Sequence, residues 1–520
     1  MTGSNAVANL LSWCSERGFW IDERLRVTTG PCGVAVVSKD VTIPSDSILV
    51  RIPRGSVLSV KSCSISDLIP PHPYGRGAQL SLALALSAEL AIGSASQFFP
   101  YLQSLPPDVP GMPLFWRGGA GPMEWLNGTE AWKMMSAPTE GTSLLAEIDQ
   151  YFHQIALPVF TKVFESQSGN VPSLQDFHRA YALVSSRSFL VDAYHGLSMV
   201  PIADAFNHTQ ENHVHLESDF DVCPECGSLD RCAHDDMAVD SVPRSTISDH
   251  SDDVFEMVSN CAIPPNSEVF NTYGETLSNA DLLVQYGFIL DGNDNDQLTW
   301  TWDELAQFSE NHLAASARTW DSIGGRAYFE DLLRSIISRP WKSISDSELM
   351  HLDHNQPFSL NGDATVSHGL WLYFASLLIL KNAPPDHIRN KSNLIVLLEE
   401  IFQLQLTLEQ DIAADEDLSL SLPPHPHGDE RRRDSPSGVI LELAKLLISL
   451  CRSRSGRTGR PGLQMTELGD ILDSLPNDLT PTRMAISLAL TERSLLDSCR
   501  SGWEGLASGL EGQGNSRESL

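Results

Sequence analysis

The sequence predicts an α+β fold followed by an all-helical region. Two groups of short β-branched segments lie on either side of a block of helical segments, which is an α+β pattern. The strand signal fades from Trp302 onward, and a turn-rich stretch precedes that point at 291–296. At 520 residues the chain exceeds one ordinary domain. We therefore expect a first domain at 1–295, a helical domain at 296–505 and a disordered tail at 506–520.

The first domain is expected to begin with an amphipathic helix within 1–20, where Leu10, Leu11 and Cys14 line one side. Residues 33–60 are β-branched and interrupted by Pro44, which predicts strand, turn and strand. Helical spacing follows at 78–92 and 144–190, inside an inserted helical region of about 62–185. Short strands are predicted at 199–202, 213–217, 254–259 and 268–271.

The second domain shows helical periodicity throughout. The predicted helices are 303–317, 325–337, 366–382, 392–412, 438–452 and 481–499. Residues 414–437 contain a Pro/His-rich stretch and three consecutive arginines, Arg431–Arg433, so we expect a disordered loop there.

Composition limits the classes of partner. The chain has 35 Lys+Arg against 67 Asp+Glu, a net charge of −32. Such a chain lacks the clustered cations that nucleic-acid phosphates require, so we expect no nucleic acid and a preference for basic proteins. The apolar run 370–380 is shorter than the about 20 residues a bilayer requires, and no signal peptide is visible, so we expect no membrane partner. Nine cysteines, an odd and sparse set, favour a reducing compartment, the nucleus or cytoplasm. Nothing here indicates an oligomeric state.

Two separated segments place polar residues against apolar ones. The first runs from Met199 to His208, and the second runs from Glu268 to Gly274 and continues to Phe288. Polar groups that enter a core need hydrogen-bonding partners. Together the two segments predict a buried polar pocket that holds a ligand.

The motifs in these segments resemble the SET-domain lysine methyltransferases, in the branch that includes the Rubisco and ribosomal-protein enzymes. They occur in that family's order, and flanking pieces between residues 8 and 290 agree with it. The motifs are Ser186-Arg187-Ser188-Phe189, Val200-Pro201-Ile202-Ala203-Asp204, Asn207-His208, Tyr273-Gly274, Ser278-Asn279 and Tyr286-Gly287-Phe288. The resemblance implies a SET domain of short sheets with an inserted helical region, followed by a helical substrate-binding domain.

The resemblance also implies S-adenosylmethionine as cofactor and a protein substrate, a ribosomal or other basic protein. Tyr273 would be the catalytic phenol and would also contact the cofactor. Arg187 would bind the cofactor's carboxylate and lie beside the substrate, and Asn207 and His208 would hold the adenosine. Tyr286 and Phe288 would wall the lysine channel. Asp204 would have a structural role, bonding local backbone.

One departure from the family concerns its Gly-x-Gly opening. Here the stretch is Gly33-Val34-Ala35, with Ala35 in place of the second glycine. All three would contact the cofactor through the main chain, and alanine requires little extra room. The departure keeps a second hypothesis open, an acidic SET-like scaffold with weak catalysis that binds basic partners. A third, protein-histidine methylation, uses the same scaffold.

A cysteine-rich insert lies in an acidic loop at about 217–253. The spacing of Cys223, Cys226, Cys232 and His234 supplies four soft ligands that suit one structural Zn²⁺. The alternative is a flexible loop with reduced thiols. A catalytic metal is not expected, because no carboxylate stands at ligand spacing.

Overall fold

The computed structural model separates into two compact units. The first unit comprises Met1–Arg117, Met134–Leu277 and Asp281–Phe288, and the second comprises Gly118–Lys133, Ser278–Ala280 and Ile289–Leu520. The described residues are 3–30, 33–72, 74–108, 111–116, 121–136, 143–164, 171–218, 222–229, 232–234, 253–322, 325–337, 358–382, 395–396, 398–399, 401, 436–477 and 480–516.

Nine short strands form three antiparallel sheets in the described part of the first unit. The strands are β1 (Trp20–Ile21), β2 (Leu25–Gly30), β3 (Gly33–Ser38), β4 (Ile48–Pro53), β5 (Leu58–Ser59), β6 (Ser188–Asp192), β7 (Gly196–Met199), β8 (Val214–Glu217) and β9 (Val254–Ser259). The sheet orders are β1-β4-β9-β8, β5-β7-β6 and the hairpin β2-β3. In the largest sheet, Ile52 pairs with Phe255, and both side chains are fully buried. These strands therefore form part of the core of the unit.

Helices cover this core. The α-helices of the first unit outside the Asn279–Tyr286 region are Gly3–Glu16, Gly75–Ile92, Phe99–Ser104, Leu144–Tyr151, Leu157–Phe164 and Leu174–Arg187. A capping box of Ser173 and Asp176 begins the last of these. Helix Gly75–Ile92 is apolar on nearly every side. The span Gly75–Ala95 is long and apolar enough to cross a bilayer, yet 61% of its 18-residue apolar window is buried inside the protein. It therefore packs as a core helix.

The second unit is mainly helical, with a two-stranded sheet of β10 (Leu298–Thr299) and β11 (Ser359–Leu360). Its helices include Gly121–Leu126, Glu130–Ser136, Trp302–Ser322, Gly325–Ile337, His368–Asn382, Pro436–Ser455, Met465–Ser474 and Thr480–Ser516. Residues 134–136 of the second helix, and most of helix Asn279–Tyr286, belong to the first unit. Trp371, Phe374 and Leu443 are buried in the core of the second unit. The predicted α+β class with a long helical region is confirmed.

Several details differ from the sequence predictions. Strand β6 begins at Ser188, inside the span 144–190 that was predicted to be helical. Residues 200–202 form a turn after β7, and 268–271 make isolated bridges instead of a regular strand. The prediction of a disordered tail from residue 506 is wrong at its start. The last helix continues to Ser516, and Leu506 is buried in the core of the second unit. Helix Pro436–Ser455 begins inside the predicted loop 414–437. The rest of that loop, and most of predicted helix 392–412, lie outside the described residues.

Residues 118–133 lie in the second unit, although the sequence interpretation assigned them to the helical insertion of the first. A buried ion pair explains the assignment. Arg454 Nη2 donates to Glu130 Oε1 at 2.7 Å, across 324 positions of sequence. The Glu130 main-chain N–H also donates to Glu492 Oε1 at 2.8 Å. Buried charges require such partners, so the segment folds with the C-terminal helices.

Candidate active site

Gly33 and Arg187 meet at the start of β3. Gly33 has φ +117°, a conformation that favours glycine, and a Cβ placed there would lie 3.6 Å from Arg187 Nη2. The next two positions pair across the hairpin, Val34 with Thr29 and Ala35 with Thr28. The main chain at Gly33 therefore lies near the Arg187 guanidinium, and a side chain at position 33 would occupy the space between them.

The alanine at position 35 is accommodated by a glycine on the facing strand. Ala35 is buried, and a Cβ built on Gly30 would approach the Ala35 Cβ within 3.2 Å. Because Gly30 carries no side chain, the extra methyl group at 35 fits without displacing β2. The departure from Gly-x-Gly thus leaves the hairpin intact.

Arg187 is held by Asp204. The guanidinium Nη1 donates to the Asp204 main-chain O at 3.1 Å and lies 3.7 Å from Asp204 Oδ2. Tyr101, whose role the sequence did not reveal, donates its hydroxyl to Asp204 Oδ2 at 2.9 Å. Burial raises the pKa of Asp204, while Arg187 and the Tyr101 hydroxyl lower it, and the net direction is upward. The Asp204 carboxylate is thus held by two distant residues, in addition to the local backbone contact that the sequence predicted.

The segment between Asp204 and β7 is strained. Ile202 is fully buried with φ +71°, which is unusual for a β-branched residue. A conformation of this kind costs of order 1–3 kcal/mol and persists where the surrounding packing imposes it, often at functional sites. The following turn Ala203–Ala205 leads directly into Asn207 and His208.

Asn207 and His208 lie against the second polar segment. The Asn271 main-chain N–H donates to the Asn207 O at 2.8 Å, and Thr209 N–H donates to the Asn271 O at 3.0 Å. The Asn207 side-chain amide donates to Glu268 Oε1 at 2.6 Å. Two segments 61 residues apart are thereby joined by hydrogen bonds. The Nδ2 and O atoms of Asn207 already have protein partners, so an adenosine contact would use its other donors and acceptors.

An aromatic cluster centres on Tyr273. Its ring stacks on His208 with centroids 5.1 Å apart and on Tyr286 with centroids 4.7 Å apart. Phe288 meets the Tyr273 ring edge-on at 6.3 Å. The structure therefore brings together the four aromatic residues that the sequence analysis singled out.

Hydrogen bonds define the protonation states in this cluster. The Tyr273 main-chain N–H donates to His208 Nδ1 at 3.0 Å, so Nδ1 accepts and the ring proton lies on Nε2. Burial lowers the pKa of His208, which is consistent with a neutral ring. The Tyr286 hydroxyl donates to the Tyr273 main-chain O at 3.4 Å. Burial, and then the charge of Asp281, raises the pKa of Tyr286 to about 12, so it stays a neutral phenol at physiological pH.

The aromatic residues Tyr286 and Phe288 are separated by Gly287, and the position requires a glycine for a steric reason. It has φ +81°, and a Cβ there would lie 2.6 Å from the Gly111 N atom. No side chain fits against that backbone.

The predicted metal ligands also converge. The ligand atoms of Cys223, Cys226, Cys232 and His234 all lie within 4.8 Å of one another. They form a cluster on the loop between β8 and β9, built from residues other than those of the aromatic cluster.

Comparison with known proteins gives related sequences among lysine methyltransferases. The chain is 28% identical over 303 residues to N-lysine methyltransferase SETD6 of Rattus norvegicus, covering 55% of this chain and 54% of that protein. It is 25% identical over 371 residues to Ribosomal lysine N-methyltransferase 3 of Saccharomyces cerevisiae, covering 59% and 66%. The chain thus spans about half to two thirds of the length of these relatives. No protein-family model matches it.

Solved structures share the fold. The SET domain of LSMT bound to lysine and AdoHcy superposes with a TM-score of 0.59 at 16% identity, covering 97% of this chain and 92% of that chain. Rubisco LSMT bound to AdoMet gives a TM-score of 0.55 at 16% identity, covering 97% and 93%. The chain therefore has a SET-domain fold. The sequence matches are to lysine methyltransferases such as SETD6 and the ribosomal enzyme, and the fold match is to Rubisco LSMT, so the chain is similar to the branch that its motifs indicated.

Proposed function

We propose that the protein is an S-adenosylmethionine-dependent protein-lysine N-methyltransferase. The observation that carries this proposal is the stack of Tyr273 on His208, beside the main-chain hydrogen bonds that join Asn207 and Thr209 to Asn271. These contacts gather a phenol, a neutral imidazole and the hydrogen-bonded main chains of the two polar segments in one half-buried region. Such convergence of distant polar segments is typical of a site that aligns reactants.

The residues present fit the cofactor. Gly33 leaves open the space beside Arg187 that a Cβ would fill, which allows a ligand to approach the main chain. The planar guanidinium of Arg187 can bind a carboxylate through two N–H groups. The Asp204 main-chain O accepts a hydrogen bond from this guanidinium and so holds it in position. When bound, the cofactor supplies a sulfonium methyl group: the amine lone pair forms the new N–C bond, and the S–C bond breaks with its electrons left on sulfur.

The aromatic cluster would prepare the substrate amine. Lysine has a reference pKa near 10.4, so it must lose a proton to the solvent before it can attack. Aromatic walls from Tyr286 and Phe288 would exclude water and lower that pKa. The Tyr273 hydroxyl would orient the neutral amine. Alignment and desolvation are the contributions a protein makes when the cofactor carries the chemistry.

The substrate that we propose is a basic protein. The net charge of −32 favours association with cationic partners, and one relative is a ribosomal lysine methyltransferase by name. We propose that the second unit contributes to docking of the intact substrate. The sparse, odd set of nine cysteines supports a reducing compartment, and we propose the nucleus or the cytosol.

The test is incubation of the purified full chain with isotope-labelled S-adenosylmethionine and a cell extract, followed by peptide mass spectrometry. We expect label on lysine of a basic protein, and much slower labelling with Tyr273→Phe. Label on histidine would instead identify a histidine methyltransferase. A scaffold that has lost turnover would label no protein, whether it binds the cofactor or not. Calorimetry with S-adenosylmethionine therefore measures cofactor binding separately from methyl transfer.

A further inference from the structure

The cysteine-rich loop has the geometry of a metal site. Cys223 Sγ and Cys232 Sγ lie 3.7 and 3.6 Å from His234 Nδ1, and Cys226 Sγ lies 3.6 Å from Cys232 Sγ. A tetrahedral zinc with Zn–S of about 2.3 Å and Zn–N of about 2.0–2.1 Å requires S–S edges of about 3.8 Å and S–N edges of about 3.6 Å. These three separations match those edges within about 0.2 Å. The remaining separations, all within 4.8 Å, require closure of about 1 Å or less.

The backbone of 223–228 forms a turn that orients the two cysteines. Gly227 N–H donates to the Cys223 O at 2.7 Å, and Cys223 N–H donates to the Ser228 O at 2.9 Å. Two cysteines three residues apart on such a turn have the spacing that structural zinc sites use.

This turn rests on an anchored hairpin. Gly227 has φ +74°, and a Cβ there would lie 2.9 Å from Tyr194 Cδ1, so its backbone packs on the Tyr194 ring. Tyr194 lies in the β6–β7 connection, where its N–H donates to Asp192 Oδ1 at 3.0 Å. Asp192 in turn forms a buried ion pair with Arg54 at 2.8 Å. Pro224 lines a cavity of about 130 Å³ next to the same hairpin.

Burial differs across the cluster in a way that suits metal uptake. Cys223 is buried, His234 and Cys226 are exposed, and Cys232 is intermediate. One ligand is thus fixed to the body of the first unit, while the others are accessible to an incoming ion. Cys226 and Cys232 contact each other through their sulfur atoms but are not joined by a disulfide.

We propose that Cys223, Cys226, Cys232 and His234 bind one structural Zn²⁺. Four protein ligands complete a tetrahedral shell, which leaves no position for a catalytic water. The ion joins the loop between β8 and β9 to the β6–β7 hairpin through Tyr194. Because β6 follows Arg187 and β7 precedes the turn that carries Asp204, the ion stiffens the hairpin between these two residues.

The test measures metal, independently of methyl transfer. When the full chain is expressed in medium that contains zinc, we expect elemental mass spectrometry to find one zinc ion per chain. Replacement of zinc by Co²⁺ should give the visible absorption of a tetrahedral thiolate site. Cys226→Ser should lose stoichiometric zinc, whereas Cys261→Ser, at an exposed cysteine outside the cluster, should keep it.

His234→Cys provides a second variant that retains four ligands. It should bind Co²⁺ with a shifted absorption band, which separates ligand loss from general misfolding. Circular dichroism of each variant checks the fold. A wild-type chain that contains no zinc and gives no thiolate–cobalt absorption would overturn the proposal, as would a Cys226→Ser chain with unchanged zinc content and an unchanged cobalt spectrum. Either outcome leaves the proposed methyl transfer untouched.

Discussion

Tyr273 and His208, 65 residues apart in sequence, stack with ring centroids 5.1 Å apart and share a hydrogen bond from the Tyr273 main-chain N–H to His208 Nδ1 at 3.0 Å. The bond fixes the imidazole tautomer and the position of the tyrosine backbone together. The phenol is then located by its contact with Tyr286 on its other side. The orientation of Tyr273 therefore depends on both segments.

The first prediction concerns the Tyr273 hydroxyl. Tyr273→Phe should lower kcat by about 100-fold or more, because loss of one group that orients the reacting amine removes a contribution of that order. The ring stack remains, so the thermal midpoint should change little. Tyr181→Phe removes a hydroxyl elsewhere in the first unit and should retain parental activity. Parental turnover in Tyr273→Phe would show that another group positions the amine.

The second prediction concerns Gly33. Gly33→Ala should weaken binding of S-adenosylmethionine about tenfold or more, because the methyl group occupies the space beside Arg187 and the positive φ disfavours alanine. Titration calorimetry measures the affinity directly. The matched control is Gly55→Ala, where a Cβ meets nothing within 4 Å. Equal affinities for the two variants would contradict the assignment of the β3 start to the cofactor site.

The third prediction concerns Tyr101, which positions Arg187 through Asp204. Tyr101→Phe removes a donor to a buried carboxylate and should lower the free energy of unfolding by about 1–3 kcal/mol. It should also raise KM for S-adenosylmethionine more than it lowers kcat, since Arg187 is displaced but the aromatic cluster is not. Tyr151→Phe is the control, because that hydroxyl contacts Ser81 at 3.4 Å. A KM equal to that of the control would remove the positioning role.

The fourth prediction is a pH dependence in the second unit. Burial, and then the nearby charge of Glu130, raises the pKa of Glu492 from 4.5 to about 8. The folded protein therefore holds a proton that the unfolded chain releases above about 4.5. The resulting stability is fully present below that pH and is lost as the pH rises through about 8, with a slope of up to about 1.4 kcal/mol per pH unit.

Glu492→Gln tests this prediction because an amide oxygen can still accept from the Glu130 N–H. Denaturant unfolding between pH 5 and pH 8 should show a flatter stability profile in the variant than in the wild type. Glu511→Gln changes an exposed glutamate on the same helix and should keep the wild-type profile. Parallel profiles for Glu492→Gln and the wild type would contradict a protonated Glu492.

Local sequence patterns predicted most elements of the fold. Periodicity located helices such as Gly75–Ile92 and Gly325–Ile337, and β-branched runs located β3, β4 and β9. The strands β1, β2, β6, β10 and β11 were not predicted. Strands β1, β10 and β11 have two residues each and are too short to show alternation, and β2 contains few apolar residues. The start of β6 lies inside the span 144–190 that was predicted to be helical. The domain boundary near 295 agrees with the bulk of the second unit but omits the segment 118–133.

The sequence by itself determined the resemblance to SET-domain lysine methyltransferases, the two polar segments and the candidate residues in them, because each motif is a local string whose chemistry is visible without coordinates. Only the tertiary structure decided which groups meet: Tyr101 with Asp204, Asn207 with Glu268, and Glu130 with Arg454. A buried polar atom requires a partner, but that partner is selected by packing among residues far apart in sequence, and spacing along the chain carries no record of it.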